Sequence, residues 1–526
     1  MMRLDDWFLT PKERGNPMTT IDADQIRGVA WTEGNLVTAL IDGATYFSHL
    51  TDALSSLTLD DEVRLTDWRG DGDEHLGDDA NSISTVLADA CRRGVDVRGL
   101  LWRSHSDRFA FSSKENRRLA LEVTAAGGEV LLDERVRRGG SHHQKMVIIR
   151  HPTAPERDLT FIGGIDLSHG RHDDSRHRGD PQAITLDPRY GPRPPWHDVQ
   201  LEIRGPAVTE LDHTFRERWE DPTPLNHAGR LRASLSRLMS RDRRARPLRP
   251  RLGDPPIHGG HAVQVLRTYP SRRPKYPFAP HGERSVARAF AKALERARTL
   301  IYIEDQYFWS AEIARLIADA LRRRPTLQVI AVVPRFPDKD GRLSGPPSRL
   351  AQTRAIAIVK AAGGDRVSFY SIQNEDATPI YVHAKVCVID DVWATVGSDN
   401  LNRRSWTHDS ELSCAVIDSQ LDSRLPLDPG GLGDGSRTFA RELRLTLWAE
   451  HLGRSVDDQA LLNLDQASTL WRDTAARRVK HRSRGRIQPH EIEPVSSSSQ
   501  RWAEVAYRLI FDPDGRPLAL RLRRRF

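Results

Sequence analysis

Two stretches decide the fold: VLADACRRGVDVRGLLW at residues 86–102 and LIADALRRRPTLQVIAVV at residues 316–333. Each reads as an amphipathic helix, an arginine-rich end and a mostly apolar strand. The correspondence continues outward. AAGGEVLL (125–132) answers AAGGDRVSFY (361–370), a helix stop at Gly followed by another strand. Upstream, a helix with Phe47, Leu50, Leu54 and Leu57 on one face leads to a strand at residues 63–68. Its counterpart carries Val286, Phe290, Leu294 and Ala297, then a strand at 300–306. Three matches in one order, each displaced by about 230–240 residues, mark an internal duplication. The fold class predicted is α/β, with two homologous α/β units in a pseudo-two-fold arrangement.

The duplication sets the domain plan: residues 1–225 form the first half, 226–261 a basic Pro-rich linker, 262–472 the second half and 473–526 a basic extension. Residues 337–349 (PDKDGRLSGPPSR) read as a long loop bordering a substrate entrance. Residues 502–526 read as a terminal hairpin around the turn sequence DPDG, with the closing RLRRRF able to meet anionic lipid. The three cysteines, Cys91, Cys387 and Cys414, are too few and too scattered for a disulfide framework or a CxxC zinc site. The opening MMRLDDWFLTPKERGNP carries charges throughout and has no secretory apolar core. No run approaches the ~20 apolar residues of a membrane span. A cytoplasmic protein with peripheral membrane contact is expected. The net charge of +7 suits anionic partners such as phospholipid headgroups or nucleic acid, although many soluble enzymes share that balance.

The chemistry-bearing motifs fall at matching places in the repeats. SHHQKMVIIR (141–150) holds His143 and Lys145, and FIGGIDLSHGR (161–171) follows with Gly163, Gly164 and Asp166. YVHAKVCVIDDVWATVGSDNLNRRS (381–405) holds His383, Lys385 and Asp390, then Gly397, Ser398 and Asn400. Residues two apart on a strand share a face, so each His and its Lys point to one place. An imidazole near neutrality attacks as a base-form nucleophile or delivers a proton, and an ammonium beside it holds a phosphoryl oxygen. Two facing pairs supply one nucleophile, one general acid and two cations around one phosphate, with no metal required. The small residues after each strand leave room for phosphate.

The paired motifs identify the chain as a member of the phospholipase D superfamily, the HxKxxxxD family. GNLVTALIDGATYF (34–47), GGIDLSHGRHDD (163–174), PPWHDVQLEIRGPAV (194–208) and IYIEDQYFWS (301–310) resemble eukaryotic-style phospholipase D sequences. The resemblance implies two α/β/α units around one active site and a phosphohistidine intermediate. It makes His143 the nucleophile and His383 the general acid, later the base that activates water, or an alcohol in transphosphatidylation. It also implies that Asp198 and Glu411 receive the other imidazole N–H groups, giving the sets His143/Lys145/Asp198 and His383/Lys385/Glu411. Gly164, Asp166, Ser398 and Asn400 are the expected phosphate-binding residues, and Trp196 and Gln306 the expected headgroup pocket, with core packing as the plainer role for the aromatics. Tyr307 and Phe308 are weighed with them. The expected substrate is a glycerophospholipid, acted on by a monomer without a cofactor; nucleic acid is disfavoured. A cardiolipin-synthase-like transferase and a nucleic-acid phosphodiesterase are the rival enzymes, and a non-catalytic binding protein the rival class.

One departure stands out. The motif's Asp follows Lys385 as Asp390, but Arg150 occupies that place after Lys145, and the first hairpin is six residues longer. Parity turns this position away from the catalytic face, so a structural role is expected, with Asp158 as a substitute. The group His169, His172, Asp173, Asp174 and His177 lacks a metal-ligand spacing and reads as an exposed loop.

Overall fold

The computed structural model describes residues 2–22, 28–77, 81–103, 113–225, 245–338, 344–481, 486–491, 495–523 and 526. The first half contributes β1 (Thr32–Ile41), β2 (Glu62–Asp67), β3 (Asp96–Trp102), β4 (Glu129–Asp133), β5 (Met146–Arg150), β6 (Leu159–Gly163), β7 (Trp196–His197) and β8 (Val199–Arg204). The second contributes β9 (His261–Tyr269), β10 (Glu283–Arg284), β11 (Leu300–Glu304), β12 (Gln328–Val332), β13 (Val367–Ile372), β14 (Tyr381–Val382), β15 (Val386–Ile389), β16 (Trp393–Gly397), β17 (Glu411–Asp418) and β18 (Ile487–Pro489). One sheet runs β18-β13-β12-β11-β15-β16-β17-β9-β1-β8-β6-β5-β2-β3-β4. Read outward from the antiparallel β1–β9 contact, the two arms repeat the same order. The duplication therefore becomes a pseudo-dyad through the middle of one continuous sheet.

The repeated elements form for the same local reasons in both arms. Ser82 and Ser310 cap equivalent helices, Ile83–Arg92 and Ala311–Arg323, by accepting from the Thr85 and Ile313 amides. The helix Gly43–Ser55 buries Tyr46, Phe47, Leu50 and Leu54, while Ser285–Arg296 buries Val286, Phe290 and Leu294. Strands β2, β11 and β12 are buried along their whole length, as central strands covered on both faces must be. One apolar cluster fills the outer layer of each half. A third, under the helices Ala207–Trp219, Thr438–Leu452 and Ala467–His481, spans both halves.

Three sequence expectations change. The described part of residues 502–526 is helical, in Ser497–Ala506 and Leu518–Leu522 with a π turn at Tyr507–Phe511, and is not a hairpin. The spacing of Trp502, Val505 and Leu509 is helical, and β18 already occupies the β13 edge that a hairpin would extend. The loop at 337–349 is cut short because Pro346 and Pro347 open the helix Gly345–Gly363. The helix Ala467–His481 runs straight through the expected boundary at residue 472. Of the linker, residues 226–244 lie outside the described residues. Its second part is tied down, with Arg246 on Glu129 and Arg249 on Asp60.

Candidate active site

Both His-x-Lys elements lie just before their strands, where backbone from the opposite half meets them. The His143 amide donates to Ser410 O (2.9 Å) and the His383 amide to His197 O (2.8 Å). In each case the accepting residue immediately precedes a carboxylate. That geometry crosses the sets. His143 Nδ1 bonds Glu411 Oε2 at 2.9 Å, and His383 Nδ1 bonds Asp198 Oδ2 at 2.6 Å. Each histidine is thus held by the other half's carboxylate, correcting the expected groupings of His143 with Asp198 and His383 with Glu411. A carboxylate partner fixes the hydrogen on Nδ1 and leaves Nε2 free for chemistry.

The lysines fold back onto their own motifs. Lys145 Nζ donates to His143 O (3.1 Å) and sits 3.3 Å from Asp166 Oδ1. Lys385 Nζ donates to His383 O and approaches Gln306 Oε1 (3.4 Å). Burial lowers the Lys385 ammonium to about 8, against the pull of Asp198 and with added repulsion from Lys145. The two halves thus share one electrostatic neighbourhood. Burial, then Lys385 and Arg171, hold the His383 imidazole well below its ordinary value, and burial raises the Asp198 carboxyl against Lys385. His143 is the more open of the two, its side chain 15% exposed against 6% for His383.

The expected phosphate-binding residues divide. Ser398 donates its hydroxyl to Glu411 (2.6 Å), so it supports that carboxylate and offers no free donor. Asp166 offers none either. Burial would raise it, but Lys145, a hydrogen bond from Asp67 and Arg171 hold it ionised, while Asp67 is pushed well up and carries the pair's proton. Asp166 therefore braces Lys145 and Arg171. Gly164 is obligatory because a Cβ there would fall 2.1 Å from Asp198 Oδ1. Asn400 is buried, and its Oδ1 has no hydrogen-bond partner; that oxygen is an acceptor, so the group able to meet a phosphate oxygen is its Nδ2 amide. Trp196 packs tilted against His383, with ring centroids 4.9 Å apart, and Gln306 donates to Tyr381 Oη (2.7 Å). Phe308 packs on Phe369, and Tyr307 lies tilted against Trp309.

Arg150 and Asp390 have the structural roles that parity suggested, for a different reason in the second half. Asp390 lies beyond the end of β15 at φ +53° and accepts from the Arg298, Thr299 and Leu300 amides, capping the start of β11. Arg150 instead bonds Asp158 (2.7 Å), which also accepts from the His151 amide.

Two features escaped the sequence reading. Arg171 lies with its guanidinium 3.8 Å over the Trp196 ring and 3.6 Å from Asp166, adding a cation beside His383. Behind the site, Asp42, His177, His197 and Glu450 bring ligand atoms within 4.8 Å of one another, as do His197, Glu304 and His451. Their imidazoles and carboxylates suit a divalent cation. As they stand, they neutralise one another: burial disfavours charge on His177, but Asp42, Asp173 and Glu450 outweigh it and raise the imidazole to about 10. His177 and Asp173 are buried, not exposed as expected, whereas Asp174 pairs with Arg176 at the surface and His169 and His172 stay half-exposed. The signal for this cluster was weak because its members are spread from residue 42 to residue 451.

Two homologous halves facing each other across a dyad, each with a His-x-Lys element, define a duplicated phosphodiester-transfer fold. The chain belongs to the phospholipase D superfamily. The phospholipase D family model matches residues 129–246, and the model described as cardiolipin synthase, PLD-like domain, matches residues 290–425. The chain is similar to phospholipase D beta 2 of Arabidopsis thaliana, 26% identical over 415 residues that cover 59% of this chain and 43% of the relative. It is also similar to phospholipase D gamma 1 of the same plant, 27% identical over 457 residues, covering 65% and 52%. The chain thus spans about half the length of the curated relatives it matches. Among solved structures, a phosphatidylserine synthase from Haemophilus influenzae aligns with a TM-score of 0.49 at 12% identity, covering 73% of this chain and 82% of the other. Among the described residues, no helix is long and apolar enough to cross a membrane.

Proposed function

We propose that the chain is a phospholipase D-type phosphodiesterase and phosphatidyltransferase acting on glycerophospholipids. The observation that carries the reading is the crossed pair of hydrogen bonds, His143 to Glu411 and His383 to Asp198, which leaves both Nε2 atoms free beside Lys145 and Lys385. The more open His143 attacks phosphorus through Nε2, and the phosphorus–oxygen bond to the headgroup breaks. The departing oxygen takes the Nε2 proton of His383. Burial, with the Lys385 and Arg171 cations, keeps that imidazole neutral in the free enzyme, and the substrate's negative charge opposes both effects by favouring the imidazolium. His383 then removes a proton from water or an alcohol, which attacks the phosphohistidine and releases His143. The lysines and Asn400 hold the non-bridging oxygens. Trp196 and Gln306 border the headgroup side.

Transfer to an alcohol, as in a cardiolipin-synthase-like enzyme, is the second reading, favoured by the family model matched across the second half. One experiment separates them: a phospholipid panel incubated with and without a primary alcohol or phosphatidylglycerol. Headgroup release with phosphatidyl-alcohol formation supports the first reading, and transfer only to phosphatidylglycerol supports the second. Cleavage of DNA with none of lipid would overturn both.

A further inference from the structure

The segment at residues 495–523 has two contrasting sides. Its inner side is fixed to the loops that carry the site. Tyr507 Oη donates to Trp309 O (3.0 Å), three residues beyond Gln306. Asp512 accepts from the Arg404 amide (2.7 Å), close to Asn400, and the Gly515 amide donates to Thr407 Oγ1 (2.9 Å), close to Glu411. Arg137, six residues before His143, donates to Gly515 O (2.9 Å). Phe526 packs against Trp406, with ring centroids 5.4 Å apart.

The outer side is apolar. Trp502, Val505, Leu509, Ile510, Leu518 and Leu522 are 36–77% exposed, an unusual density for a surface that meets only water. The first three share a helical face. Arginines surround them: Arg501, Arg508, Arg521 and Arg523 are all exposed. Over residues 495–526 there are seven arginines and three acids. Those acids are engaged locally: Glu504 pairs with Arg354 and Arg508, Asp512 is buried and Asp514 bonds Arg516. Leucine, isoleucine, valine, tryptophan and arginine dominate the outward face. That is the composition of an element seated in the headgroup layer of an anionic bilayer.

We propose that residues 495–523 form a docking element for anionic phospholipid surfaces, seating the mouth of the active site against the bilayer that contains its substrate. This rests on the lipid reading above and adds where the enzyme meets the lipid. Charge selects the bilayer over a second copy of the chain, because two copies would oppose arginine to arginine.

The test compares the full chain with Leu509→Asp/Ile510→Asp/Leu522→Asp, three exposed positions outside the site. Each is sedimented with vesicles of phosphatidylcholine alone or of equal parts phosphatidylcholine and phosphatidylglycerol. Headgroup release is followed from the same vesicles and from a short-chain phospholipid kept monomeric. The wild type is expected to bind the anionic vesicles in a salt-sensitive manner. The variant should lose about tenfold or more in binding and in vesicle turnover, with turnover of monomeric lipid and melting temperature unchanged. Wild type that stays in the supernatant, or a variant that binds as well as wild type, overturns the proposal. So does a wild-type dimer that the variant makes monomeric while vesicle binding persists. Binding lost in the variant with no release from either lipid supports docking and overturns the assigned activity instead.

Discussion

Replacing Asp198 by Asn removes one charge and almost no volume from a fully buried position. Asp198 Oδ2 receives His383 Nδ1 at 2.6 Å, and Oδ1 accepts from the Val199 amide at 2.9 Å. Gly164 leaves no space for the side chain to move elsewhere. An Asn that keeps its oxygen on Val199 turns its amide hydrogens towards Nδ1, so the ring hydrogen moves to Nε2. His383 then loses the lone pair needed to activate the acceptor, and its imidazolium loses a charge-assisted hydrogen bond of about 3 kcal/mol. At ~1.4 kcal/mol per tenfold, turnover should fall by at least about 100-fold. Asp198 also holds up the Lys385 ammonium, so the variant's alkaline loss of kcat/KM should begin below the value of about 8 that governs the parent. Headgroup release across pH measures both effects, and ring-nitrogen NMR reports the tautomer. The His383 signals should move while those of His143 stay in place. A loss under threefold, or a disturbance centred on His143, would refute the crossed arrangement.

Other outcomes follow from single contacts. Asp158→Ala strips a buried partner from Arg150 and should cost about 3–5 kcal/mol in urea unfolding, with kcat of the folded fraction unchanged. In the parent, kcat/KM should fall as pH rises through about 8, because Lys385 loses its charge there and with it the hold on phosphate; Lys385→Arg should shift that limb to higher pH. Gln306→Ala should raise KM more than it lowers kcat, since it removes the neighbour of Lys385 and Tyr381 without touching either histidine. His177, raised to about 10, contributes stability in full below its ordinary value near 6.5, and that contribution disappears as pH rises through 10. The alkaline fall in melting temperature should therefore be shallower in His177→Asn.

The repeats were legible because helix and strand periodicities recur at one fixed offset, and the His-x-Lys pairs because they recur with them. The exchange of Asp198 and Glu411 was not. It depends on β7 pairing with β14 and on the bridge between His142 and Ser410, contacts between residues 185 and 268 positions apart along the chain. Arg171 was hidden by abundance, one among 79 basic residues, and only its stacking on Trp196 distinguishes it. Ser398 and Asp166 occupy the turns where small residues and donors were expected, yet Glu411 and Lys145 claim their polar atoms. Parity gave the correct role for Asp390 from a premise that fails, since the residue lies past the strand in a left-handed turn.

The proposed chemistry requires an attacking His143 and a proton-transferring His383. A phospholipid bearing an activated phenol leaving group removes the need for a general acid in the first step. His383→Asn should then release phenol in a burst and stall before hydrolysis. Alkaline quenching and peptide mass spectrometry locate the trapped phosphatidyl group. It should lie on the peptide containing His143, and His143→Asn should show neither burst nor adduct. An adduct on His383 in the parent enzyme, or a His143→Asn variant that still bursts, would contradict the assignment.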